Sequence, residues 1–168
     1  MPLTQHIVNI DSTFRDTSAY PTPAQYQITL PSRYRNIQEA RLLQMDFPDV
    51  LPQRKYVYVK INELNFIDDV GPGGVNSYFA KVPLFSERGN IFFIDSLNFS
   101  IPDNILQNPI ASLDKLSISM TDSLGNLIPI PASGNDHTMM IQLTCGDYVN
   151  NGGGSTITTH GRILGGTR

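Results

Sequence analysis

The sequence predicts an all-β fold, an antiparallel two-sheet sandwich of about eight strands, and three observations carry that prediction. Several stretches alternate apolar and polar residues with a period of two, most cleanly Leu116-Ser117-Ile118-Ser119-Met120-Thr121 and Thr138 to Cys145. Such a period gives a strand with one buried and one wet face. The 12 Pro and 13 Gly are scattered through 168 residues, which leaves no room for long helices. Between the two clean strands lies Asp122-Ser123-Leu124-Gly125-Asn126, a turn in which Gly125 and Asn126 can take the positive φ of a tight connection.

The strands follow in order. His6 to Ile10 is the first, ended by Asp11-Ser12-Thr13-Phe14-Arg15-Asp16, whose side chains bond to nearby backbone and turn the chain. Gln25 to Leu30 places Tyr26, Ile28 and Leu30 inward, and Pro31 is expected to stop it. Ile37 to Phe47 has a mixed pattern, with Leu42 and Leu43 adjacent, that fits a three-turn helix nearly as well; strand is preferred because Pro48 and Pro52 follow. Tyr56 to Ile61 is strongest by residue type, with Val57, Val59 and Ile61 inward. Asp68-Asp69-Val70-Gly71-Pro72-Gly73-Gly74 reads as an exposed loop without regular structure. Tyr78 to Phe85 and Ile91 to Phe99 read as a hairpin linked by Glu87-Arg88-Gly89-Asn90. From Ile101 to Leu113, with Pro102 and Pro109, the sequence allows a short helical turn over Asp103 to Gln107 but no long helix. Residues 1–149 are expected to form one domain, and 150–168, with Gly152-Gly153-Gly154 and Gly165-Gly166, a flexible tail ordered only by a neighbour.

Composition excludes several classes of function. A net charge of −3 disfavours nucleic acid as a partner, because phosphate contacts require a basic face, and Arg33, Arg35, Arg41 and the pair Arg54-Lys55 do not make one. With Cys145 alone, no internal disulfide forms, and its place in the apolar phase makes it a small buried hydrophobe. No stretch approaches the ~20 apolar residues of a membrane-spanning helix, and the first residues lack a charged region followed by an apolar run, so the protein is expected to be neither secreted nor membrane-spanning. Only 16% of residues are charged, so the surface is polar through Ser, Thr, Asn and Gln and repels its neighbours weakly.

No catalytic, metal or cofactor residues are assigned, and an enzyme is not expected. His6, His137 and His160 are far apart in sequence, and no zinc-type spacing or phosphate-cradling loop occurs. Asp136-His137 beside Ser133 suggests a hydrolytic group, but adjacent residues turn into one site with difficulty, and strand-edge bonding explains them better. Asp68-Asp69 lacks the further spaced acids of a calcium loop. The candidate interface residues are Arg15 and Asp16, which alternatively tie their turn to the next strand, and Tyr56, Tyr58 and Phe92, an outward aromatic stripe of the kind partners bury. A phase error of one residue would exchange that stripe with the core.

Pattern alone leaves a jelly roll, an immunoglobulin-like sandwich and an open barrel as alternatives. The run from Val8 to Asp16, then Tyr20-Pro21-Thr22-Pro23-Ala24-Gln25-Tyr26, Ile28 to Leu30, Asn36-Ile37 and Arg41-Leu42-Leu43 to Phe47-Pro48, resembles the N-terminal pattern of small capsid proteins of nucleocytoplasmic large DNA viruses. Leu113 to Leu116, Asp122 to Leu127 and Asn135-Asp136-His137 leading into Met140 to Leu143 are similar to their closing hairpin. The resemblance implies a single jelly roll in an icosahedral virion, a penton subunit at the five-fold vertex or otherwise a minor capsid protein. It also implies assembly in the host cytoplasm, a homo-oligomer, by preference a pentamer, and neighbouring capsid proteins as partners. The competing reading is a lectin-like module that holds a glycan or receptor through loops 68–76 and 131–136.

Overall fold

The computed structural model describes residues 3–48, 55–71, 74–84, 87–88, 91–95, 104–132 and 135–146. Among the described residues, ten strands run in chain order: β1 (Leu3–Asp11), β2 (Gln25–Pro48), β3 (Tyr56–Ile61), β4 (Ile67–Gly71), β5 (Gly74–Tyr78), β6 (Ala80–Pro83), β7 (Glu87–Arg88), β8 (Ile91–Asp95), β9 (Asn104–Thr121) and β10 (Thr138–Gly146). Eight belong to one sheet, ordered β1-β10-β2-β9-β3-β6, with β8 on β2 and β7 on β8; β4 and β5 pair with each other. Every pairing is antiparallel. The expected all-β jelly-roll sandwich is therefore present, built as one sheet curled on itself.

The curl is made by β2 and β9, which run together through both layers. Their register slips twice, and the slips compensate. Between Thr29 and Tyr34, β2 carries the excess residues, including Pro31; between Ile37 and Glu39 the excess lies on β9 and includes Pro109. Proline cannot donate to a ladder, so it sits where pairing is interrupted, and the interruptions let the ribbon bend. Pro31 accordingly does not stop the strand, as its position in sequence suggests; it marks the first bend. On one side of the bends, β1, β10 and the second half of β2 form a layer; on the other, the first half of β2, the end of β9, β3 and β6 form the second.

A single apolar cluster joins the layers. Val8, Ile10, Leu42, Met139, Ile141 and Leu143 come from the first, and Tyr26, Val57, Val59, Ile61, Leu116, Ile118, Met120 and Phe79 from the second. The predicted inward phases of β3 and β10 hold, with Val57, Val59, Ile61, Ile141 and Leu143 fully buried. Burial of such side chains stabilises by about 1.5–3 kcal/mol each, before ordering costs.

Several expected elements differ. The stretch 68–74 is no loop: Ile67 to Gly71 pairs with Gly74 to Tyr78, so its glycines bracket a hairpin turn. Among the described residues, the segments 78–85 and 91–99 do not pair with one another; β6 joins β3, and β8 joins β2 and the two-residue β7. The stretch from Asn104 to Gln107, which the sequence allows as a helical turn, extends as the start of β9, because β2 offers it a partner at Glu39 and Ala40. The Asp122 to Asn126 turn forms as read, with Gly125 alone at φ 84. Asp122 Oδ1 accepts from the backbone N–H of Leu124 and Asn126 at 2.9 and 3.0 Å. The expected tail, 150–168, lies outside the described residues.

Candidate functional site

At the end of β1 the chain enters a 3-10 turn, Ser12 to Phe14, held against the entry of β10 by a buried polar clasp. Asp11 caps the turn by accepting from Thr13 N–H at 2.8 Å. Ser12, fully buried, donates its hydroxyl to Asp136 Oδ1 at 2.9 Å and accepts the His137 backbone N–H at 2.9 Å. Ser12 N–H donates to the His137 carbonyl at 3.0 Å. Arg15 reaches across to pair with the Asp136 carboxylate and donates to the carbonyls of Ser12, Tyr20 and Ala132 at 2.7, 3.0 and 3.2 Å. Its planar fork suits an arginine buried among carbonyls and one carboxylate.

The His137 ring turns away from this cluster. Its Nε2 lies 2.9 Å from the Tyr26 hydroxyl, and its Nδ1 is buried without a hydrogen-bond partner. Burial pushes the imidazole down to about 4, so the ring is neutral; the nearby Arg15 charge acts in the same sense, while Asp136 and Asp11 oppose it. Burial likewise raises the Tyr26 phenol far above its ordinary range, with the Asp11 carboxylate adding to the effect.

Serine, aspartate and histidine therefore meet here without the geometry of a nucleophilic triad. The hydroxyl donates to the carboxylate and never faces the imidazole, and solvent does not reach it. His6 sits far off in β1, its ring centroid 5.0 Å from that of Tyr34, and His160 lies outside the described residues. Among the described residues no three His, Cys, Asp or Glu side chains gather in a metal-holding group. Asp68 Oδ1 accepts the Ser77 hydroxyl at 2.6 Å across the β4–β5 hairpin. Cys145 is buried, as its phase predicts, and burial raises its thiol pKa.

The interface candidates separate by position. Arg15 is only 6% exposed and pairs with Asp136, a partner 121 residues away, not with adjacent Asp16. Asp16 is exposed and caps its own turn by accepting from Ser18 and Ala19 N–H at 3.0 and 3.3 Å. Tyr58 does face away from Val57 and Val59, yet it is only 4% exposed: the β5 residue Tyr78 covers it, ring centroids 4.8 Å apart. Tyr56 is half-buried at the edge of this group, and Lys81 Nζ lies 4.3 Å above its ring. Phe92 lies on β8, where its side chain is outside the described residues. Sequence reasoning missed the clasp itself, since nothing in a pattern of strands links residue 15 to residue 136.

The outer face of the first layer completes the picture. Leu3, Gln5, Ile7 and Asn9 of β1 are exposed and stand beside Gly146, Thr144, Gln142 and Met140 of β10. None of these residues is charged. No family model matches the chain. Over 167 residues, covering 98% of both chains, it is 54% identical to the penton capsid protein P1 of Paramecium bursaria Chlorella virus 1. The chain belongs to the penton capsid proteins. The match spans nearly the whole chain, so this penton capsid protein is a virion structural protein. Its clasp reads as architecture: it fixes the loops at one end of a stiff sandwich.

Proposed function

We propose that the protein performs no chemistry and acts by shape and adhesion, as five copies that close a ring at the five-fold vertex of an icosahedral virion and abut other capsid proteins around it. The observation that carries this reading is the near full-length match to a penton capsid protein, joined to a Ser-Asp-His meeting point whose Ser12, Arg15 and Asp136 are spent on bonding within the subunit. A head-to-tail contact that closes by rotation makes a ring, and a weakly charged surface lets copies approach. Residues 1–149 form the rigid unit, and 150–168 serve as an arm for a neighbour. Exposed Asp16, at the clasp end, and half-buried Tyr56, beside Lys81, serve as separate contact points for other subunits, with Phe92 of β8 a third; buried Arg15 and Tyr58 support the first two from beneath. Synthesis and assembly occur in the host cytoplasm, without secretion.

Native mass spectrometry of the purified full-length chain across micromolar concentrations tests this. The expected species has five times the 18.6-kDa mass of one chain. A protein that stays monomeric at high concentration and binds a glycan would overturn the reading in favour of a lectin-like module.

A further inference from the structure

The outermost strand of the first layer is unusually open. β1 is nine residues long and hydrogen-bonds β10 along one side; among the described residues no strand lies along the other. Natural edge strands are normally blunted by proline, lysine, inward charges or a bulge. From Leu3 to Ile10 there is no proline and no Asp, Glu, Lys or Arg, and the register with β10 runs without a slip from Leu3 to Asp11. Leu3 and Ile7 add apolar surface, 56% and 53% exposed, on the outer face. The opposite edge of the sheet, β6, is by contrast four residues long and ends in Pro83.

We propose that the outer edge of β1 is a strand-addition site, and that its occupant is the segment Ser155–His160 of an adjacent copy. Backbone bonding along the edge would supply affinity and the outward Leu3 and Ile7 the register. Three observations select this occupant. Ser155-Thr156-Ile157-Thr158-Thr159-His160 is the β-branched stretch of the chain beyond Gly146 and carries no Asp, Glu, Lys or Arg, matching a strand equally free of them. Gly146 pairs with Leu3 at one end of the sheet, and the eight residues 147–154 allow a reach of at most roughly 30 Å from there to the segment. In its own subunit the segment would pass the end of β1 and lie parallel to it, the weaker pairing, whereas an adjacent copy can offer an antiparallel edge.

This inference rests on the ring reading: pairing β1 with another β1 would be two-fold and would stop at a dimer, whereas edge and arm are different surfaces and can close a ring. The test uses the full-length chain carrying Ile7→Cys and Ile157→Cys, oxidised at concentrations where the oligomer forms. Disulfides between copies, in a ladder ending at five chains, are expected. An internal disulfide in a single chain, or no cross-link in an intact oligomer, overturns the inference. A second variant, full-length Ile157→Pro, removes one tail donor without touching the sandwich. It is expected to weaken association at least tenfold and to speed amide exchange along β1. Unchanged association and exchange would overturn strand addition while leaving the pentamer standing; a wild-type chain that never exceeds monomer mass would bring down both.

Discussion

Protonation of His137 works against the fold. Its imidazole is held at about 4, below its ordinary 6.5, so the folded state favours the neutral ring. The unfolded chain therefore binds more protons between these two values, and stability is full above pH 6.5 and declines as pH falls through 4. The displacement corresponds to about 3 kcal/mol lost across that window. Urea unfolding measured between pH 7 and 4 should show the decline, and His137→Gln, which keeps a polar partner for Tyr26, should flatten it; an equally steep fall in the variant would assign the effect elsewhere. Arg15 governs the other half of the clasp. Replacing it with Met leaves the Asp136 carboxylate facing Ser12 without its cation, and the expected cost is about 3 kcal/mol in a chemical-denaturation midpoint series. Adding Asp136→Asn to that variant should recover part of the loss, because the uncompensated charge is gone.

At the level of elements, the second strand shows both what the sequence discloses and what it hides. From Ile37 onward the buried residues of β2 are Ile37, Ala40, Leu42, Met45 and Phe47. Those spacings of three and two imitate a helix, yet the cause is a pair of bulges: relative to β10, β2 has one extra residue between Ile37 and Glu39 and another between Leu42 and Gln44. Each extra residue flips the inward phase once, so a straight-strand template fails while a helical one nearly fits. β3 and β10 lack such interruptions on their buried phase and were legible from alternation alone. The hairpin at 67–78 was hidden for a different reason, since glycines that break a strand and glycines that turn a hairpin look alike in one sequence. Turn chemistry was legible where one geometry demands it: Gly125 at φ 84 should make Gly125→Ala cost about 1 kcal/mol by thermal unfolding, whereas Ser123→Ala in the same turn should change stability little.

The molecule is a sparsely charged slab, closed at one end by the clasp and, among the described residues, open along the outer edge of β1. Its place in a capsid was legible as a resemblance of turns and strands, whereas the clasp was not, because its partners are brought together only by the curl of the sheet. Tyr58 illustrates the same limit: its face was correctly placed, but the β4–β5 hairpin that covers it was invisible in the pattern. With 16% charged residues and a net charge of −3, association between copies should depend little on salt. Sedimentation at 50 and 500 mM salt is expected to show association constants within about threefold of each other; a loss of a hundredfold would mean that ion pairs hold the ring. The central claim is that this chain makes the five-fold vertex by adhesion of identical slabs. The most direct measurement is a localised cryo-electron reconstruction of the virion vertex. Five copies of the curled sheet around each five-fold axis are predicted, and a vertex built from another protein, with this sandwich elsewhere or absent, would contradict the account.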